Sequence, residues 1–198
     1  VLYTFASSVD DIDMGVTFIV RGADHVTNTA TQIQIMQALG GTPPAFAHHS
    51  LLTGPQGEAL SKRLGTLSLR DLRAAGVAPE ALLSLMARLG SSQPVELRMS
   101  LDEIADGFDI GSFGAAPTKF DAEDLWPLTR ERNQHLPFAA VRDRVAGLGV
   151  PDELAEPFWT MVKGNVTKLS DMDYWAGVVM NGATPLVTEE DTAFITDA

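Results

Sequence analysis

The 198-residue chain predicts an α/β segment followed by a mostly α-helical remainder. Three observations carry this reading. A β-branched and aromatic run at residues 16–20 and an extended run at 45–49 are separated by apolar residues at helical spacing. That is the size of one strand–helix–strand crossover, which implies a parallel pair. From Ser68 onward the apolar spacing is helical almost throughout, punctuated by Gly and Pro.

The elements follow in order. Val16-Thr17-Phe18-Ile19-Val20 reads as a buried strand. Thr27 or Asn28 can cap the next helix, where Ile33, Met36, Ala38 and Leu39 recur and Gly40-Gly41 closes it. Pro43-Pro44 breaks to Ala45-Phe46-Ala47-His48-His49, the second strand. A parallel sheet is not built from two or three strands alone, so its remainder is expected upstream of Val1 in a longer protein. The missing initiator methionine agrees. Residues 51–65 read as a loop, with a reversal at Thr53-Gly54-Pro55-Gln56-Gly57. Ser68 can cap a helix over 69–75 that Gly76 stops. Pro79-Glu80 opens another with Leu82, Leu83, Leu85, Met86 and Leu89 inward, and Gly90 ends it. Further helices are expected over 100–106, 121–134, 137–147, 151–162 and 170–179. Trp159, Tyr174 and Trp175 read as core.

Composition narrows the function classes. Hydrophobic residues make up 45% and charged residues 20%, with mean hydropathy +0.05, an ordinary globular balance. No apolar run is long enough for a transmembrane helix, and no basic n-region marks a secretory signal, so a cytoplasmic protein away from membranes is expected. Cysteine is absent, which excludes disulfides and thiolate metal sites. The net charge is −12. It is unevenly spread: residues 59–100 form the one net-basic window, between two acidic ones. An anion site there fits; a long electrostatic track does not.

Four groups of residues could carry chemistry. Ser61, Lys62 and Arg63, beside Gly65 in a turn-rich loop, suit polyphosphate, although the P-loop signature is absent. The alternative is a solvated basic turn. Arg21, with Asp24 and His25, lies at the carboxyl end of the first strand, where open α/β sheets bind ligands. Arg21 can hold a carboxylate bidentately, or it can pair with Asp10, Asp11 or Asp13. His25, His48 and His49 invite a metal, but adjacent strand residues point to opposite faces, so no metal site is assigned. Asp10-Asp11-Ile12-Asp13 reads as a helix start or solvated turn before it reads as an Mg²⁺ site. Glu189-Glu190-Asp191 reads as an acidic helix start.

Tyr3-Thr4-Phe5-Ala6-Ser7-Ser8-Val9-Asp10-Asp11-Ile12-Asp13-Met14-Gly15-Val16-Thr17, running on through Arg21-Gly22, resembles glutamyl-tRNA synthetases. So does Phe46-Ala47-His48-His49-Ser50-Leu51-Leu52, followed by Leu60-Ser61-Lys62-Arg63. Leu69-Arg70-Asp71-Leu72-Arg73 and the stretch from Gly76 through Leu83 to Gly90 are similar too. The resemblance is dense over 1–90, moderate to about 135 and vague beyond.

It implies a class I aminoacyl-tRNA ligase that activates glutamate with ATP and Mg²⁺, then transfers it to tRNA(Glu), with tRNA(Gln) charging left open. Tyr3 and Arg21 would hold glutamate. Asp24, His25, Leu51, Leu52, Ser61 and Lys62 would meet ATP. Lys62 and Arg63 belong to a KMSKS-type loop and would carry the catalytic charge, although Ala59 stands where that loop commonly has a lysine. Arg70, Arg73, Arg88 and Arg98 are the first candidates for tRNA contact, and Arg130, Arg132, Arg142 and Arg144 the second.

The implied organisation is the second half of a Rossmann-type catalytic domain (1–56), the loop and a stem-contact region (57–125), and the start of a helical anticodon-binding domain (126–198). The HIGH-type motif has no counterpart, so a C-terminal-side fragment, monomeric and inactive alone, is expected. A non-catalytic RNA-binding or helical interaction module derived from a synthetase is the competing reading.

Overall fold

The computed structural model describes residues 3–58, 60 and 68–182. Ser61, Lys62, Arg63 and Glu189-Glu190-Asp191 lie outside them.

The chain opens with helix α1 (Tyr3–Asp13), where the acidic run Asp10-Asp11-Ile12-Asp13 forms the last turn rather than a helix start. Carboxylates at a helix C-terminus oppose the macrodipole, and Gly15 at φ 66° ends the element. Strand β1 (Phe18–Gly22) leads through a 3-10 turn, Ala23–His25, into α2 (Val26–Ala38). The expected cap at Thr27 or Asn28 is not used: the 3-10 turn feeds the helix directly, and no side chain caps it. Strand β2 (Ala45–His49) pairs parallel with β1, Phe18 opposite Ala45 and Gly22 opposite His49.

β1 is not the buried strand expected. Phe18 and Val20 are 49% and 45% exposed, in a sheet that has two strands among the described residues. α1 rests on α2 through a polar contact in which buried Gln32 donates to Ser7 Oγ (3.0 Å). Met36 is fully enclosed. Gly41 allows close approach there, since a Cβ would come within 2.7 Å of Ile12 Cδ1.

The segment expected to be loop contributes strand β3 (Leu52–Thr53), which pairs parallel with β4 (Thr118–Lys119). Two-residue strands bridging distant segments leave no period for a sequence to show. Helix α3 (Leu69–Ala75) is capped as expected: Ser68 Oγ accepts from Asp71 N, and Gly76 closes it at φ 95°. Helix α4 (Pro79–Met86) buries Ala81, Ser84 and Leu85. Leu83 and Met86 stand 42% and 40% exposed, against expectation, because the 3.6-residue turn carries them off the stripe that faces α6.

Helices α5 (Leu101–Ala105), α6 (Leu125–His135), α7 (Phe138–Ala146), α8 (Asp152–Val162) and α9 (Asp171–Asn181) complete the described chain. One core gathers Leu72, Val77, Ala81, Leu85, Phe120, Leu125 and Leu128 around α3, α4 and α6. A second gathers Val141, Val145, Phe158, Trp159, Val162 and Met172 from α7, α8 and α9. Helix α6 ties them together: Thr129 Oγ1 accepts from Ala78 N (3.2 Å) and Asn133 donates to Thr167 O (2.8 Å). Trp159 is core as expected and donates through Nε1 to Leu136 O. Trp175 packs at the edge of that core. Tyr174 is 69% exposed, since α9 buries the face of Met172 and Ala176, and its ring meets that of Trp175 edge-on.

Candidate functional site

The carboxyl ends of β1 and β2 gather the distinctive chemistry. Arg21 sits opposite His48 in the parallel register, and Phe46, two residues before His48, shares that face of β2. The Arg21 guanidinium lies over the Phe46 ring, 5.2 Å from its centroid. Its Nη2 donates to Thr29 Oγ1 at 2.7 Å, while its Nε is enclosed and has no partner. Among the described residues no carboxylate forms an ion pair with Arg21, so pairing with Asp10, Asp11 or Asp13 is not found. A half-buried cation held by an aromatic face and a neutral hydroxyl, with no carboxylate partner among the described residues, is arranged to meet an anion from outside.

Beside it, the 3-10 turn presents Asp24 and His25, whose side chains approach at 3.7 Å. Gly22 is the hinge of this corner. A Cβ there would fall 2.4 Å from Asp24 Oδ1 and 3.1 Å from Leu51 Cδ2, so the glycine lets both side chains close over the strand end. Leu51 is 45% exposed. Leu52, one residue on, enters β3 and packs against the first core. The structure therefore brings Arg21, Asp24, His25 and Leu51 to one end of the sheet and turns Leu52 inward. Tyr3 stands in the first turn of α1, 71% exposed, and no hydrogen bond among the described residues joins it to Arg21.

The three histidines separate as strand alternation requires. His48 meets Thr29 Oγ1 at 2.9 Å, His49 turns to Ser50 O, and His25 lies against Asn28 and Asp24. Thr29, Phe46 and the role of His48 escaped the sequence reading. The only signal was the strand register, which a single sequence does not reveal.

The arginines divide. Arg70 and Arg73 are exposed on α3. Arg88 is tied to Gly107 O and Arg98 to Glu96. Arg132 pairs with Glu80 at 3.1 Å, Arg144 with Asp173 at 3.2 Å. Arg130 donates to Gly164 O, and Arg142 lies over the Phe138 ring.

The family model of the catalytic domain of class I tRNA synthetases (E and Q) matches residues 2–127. The whole chain is 74% identical to "Glutamate--tRNA ligase 1" of Paracoccus denitrificans and 66% identical to "Glutamate--tRNA ligase 1" of Ruegeria pomeroyi, spanning 45% of each. A crystal structure of a glutamate tRNA ligase from Elizabethkingia meningosepticum, in complex with its amino acid, superposes with a TM-score of 0.80 at 26% identity. That match covers 99% of this chain and 45% of the other. The family match runs from α1 through α5 into the first residues of α6. The chain therefore spans about half the length of the relatives it matches, and it belongs to the class I tRNA synthetases of the glutamate and glutamine type.

Proposed function

We propose that this chain is the part of a glutamate–tRNA ligase that receives the amino acid and the adenylate. Arg21 takes a carboxylate of glutamate, and Asp24, His25 and Leu51 border the nucleotide. The observation that carries the reading is the Arg21 guanidinium, held at the carboxyl end of a parallel strand by Thr29 and the Phe46 ring, with no carboxylate partner among the described residues. In the reaction a glutamate carboxylate attacks the α-phosphate of ATP in line and pyrophosphate leaves. The terminal ribose hydroxyl of tRNA(Glu) then takes the glutamyl group and AMP leaves. No protein nucleophile is needed; the protein positions reactants and neutralises charge. Mg²⁺ accompanies the nucleotide phosphates as part of the substrate. Lys62 and Arg63 supply charge to those phosphates, Tyr3 completes the amino-acid contacts, and Ser61 and Leu52 support the nucleotide side.

The two-stranded sheet, with its exposed Phe18 and Val20, supports reading residues 1–56 as part of a larger nucleotide-binding sheet completed elsewhere in the parent protein. Residues 57–125 then meet the acceptor stem and residues 126–198 begin a helical tRNA-binding region.

Aminoacylation by the full-length protein tests this. Arg21→Ala is expected to raise the KM for glutamate by on the order of 10²-fold, the cost of leaving a carboxylate without its half-buried charged partner. The KM for ATP stays near native. A native glutamate KM in that variant refutes the assignment. A full-length protein that binds tRNA but charges no glutamate would favour a non-catalytic RNA-binding module.

A further inference from the structure

The geometry points to Thr29 and His48 as positioning residues that aim the Arg21 guanidinium, an inference that rests on reading Arg21 as the glutamate-binding residue. Arginine only donates, so Thr29 Oγ1 accepts from Nη2 at 2.7 Å. The single hydroxyl proton of Thr29 is aimed at the carbonyl of His25, four residues back in the chain, at 3.2 Å, the usual back-bond of a helical threonine. His48 Nε2 lies 2.9 Å from the same oxygen. With the hydroxyl proton committed to His25 O, the contact is completed when Nε2–H of His48 donates to the second lone pair.

One oxygen on α2 thus links β1, the 3-10 turn and β2. The linkage is not incidental to the strand pairing, because Arg21 and His48 are register partners. The Phe46 ring lies under the guanidinium, 5.2 Å from Cζ to its centroid, and the bond to Thr29 fixes where Nη2 points. The Nε is enclosed and has no partner of its own, so among the described residues Thr29 Oγ1 is the hydrogen-bond partner that orients the guanidinium. A valine at 29 has the same shape and no acceptor. A phenylalanine at 48 fills the space and donates nothing. Glutamine at 48 carries an amide nitrogen near the place of Nε2 and can donate as the imidazole does.

The test uses the full-length protein and reads kcat, KM for glutamate and KM for ATP in aminoacylation, with melting temperature alongside. Thr29→Val and His48→Phe are each expected to raise the glutamate KM about tenfold, the worth of one hydrogen bond at a charged group, and to leave the ATP KM within about twofold of native. Thr29→Ser and His48→Gln are expected to return close to native. A native glutamate KM in Thr29→Val and His48→Phe overturns the proposal. So does an equal rise in both KM values, the signature of general loosening, or a failure of both rescue variants. If Thr29→Val does not fold, the His48→Phe and His48→Gln pair decides alone. An inactive native protein would instead refute the reading of Arg21, and the positioning role would fall with it. A native-like protein whose Arg21→Ala variant loses glutamate affinity while all four others behave as native would refute the positioning role alone.

Discussion

At the scale of single residues, two glycines define where the backbone can be altered. Gly76 holds φ 95° at the end of α3, and a Cβ there would stand 3.1 Å from Lys168 Cβ. Gly76→Ala combines left-handed strain with a neighbour that must give way. It is expected to destabilise by about 1–2 kcal/mol, read as a lower urea midpoint with an unchanged slope. Gly22 has ordinary φ but no room, because Asp24 and Leu51 close over it. Gly76 was legible in the sequence as a helix stop after a capped start, since cap and stop are local chemistry. Gly22 was not, because its constraint comes from the fold of the corner around it. The same division holds for the candidate site. Arg21 announced itself as a lone cation after a strand, whereas Thr29 and Phe46 acquire meaning only once β1 and β2 are in register.

At the scale of elements, α6 decides whether the two cores act together. Leu125 and Leu128 enter the first core, Thr129 accepts from the Ala78 amide that opens α4, and Asn133 reaches Thr167 O ahead of α9. Thr129 is fully buried, so Thr129→Val keeps the volume and strands a buried N–H. The expected cost is about 1–3 kcal/mol, measured by chemical denaturation. Hydrogen exchange should quicken at the start of α4 more than in α8, and uniform quickening would sink the local account. The helices themselves were readable from periodicity, Gly and Pro. The exposed Leu83, Met86 and Tyr174 were not, because apolar residues mark a helix without marking which stripe meets a neighbour. The β3–β4 pair joins positions 52 and 118 and carries no local pattern at all.

At the scale of the whole molecule, the net charge of −12 on this chain must be reconciled with the polyanionic substrate proposed above. Uniformly acidic surfaces repel RNA, so tRNA binding has to be concentrated where cations are not already spent. The ion pairs narrow the choice. Arg98, Arg132 and Arg144 each hold a carboxylate, at 2.9, 3.1 and 3.2 Å, and moving any of them to a phosphate would first break that pair. Arg70 and Arg73 stand exposed on the short helix α3, in the one window with a net positive balance, and make no ion pair among the described residues. In the full-length protein, Arg70→Ala and Arg73→Ala are each expected to weaken tRNA binding and to lower the salt slope of log Kd by about 1 for each phosphate no longer neutralised. The KM values for glutamate and ATP stay unchanged, because α3 packs into the first core through Leu72 and not into the strand ends that carry Arg21. Arg144→Ala is the control: its partner is Asp173, so the slope should stay native. Equal slopes in all three variants would move the tRNA face off α3. A reduced slope for Arg144→Ala alone would place that face on the helical bundle of α7, α8 and α9.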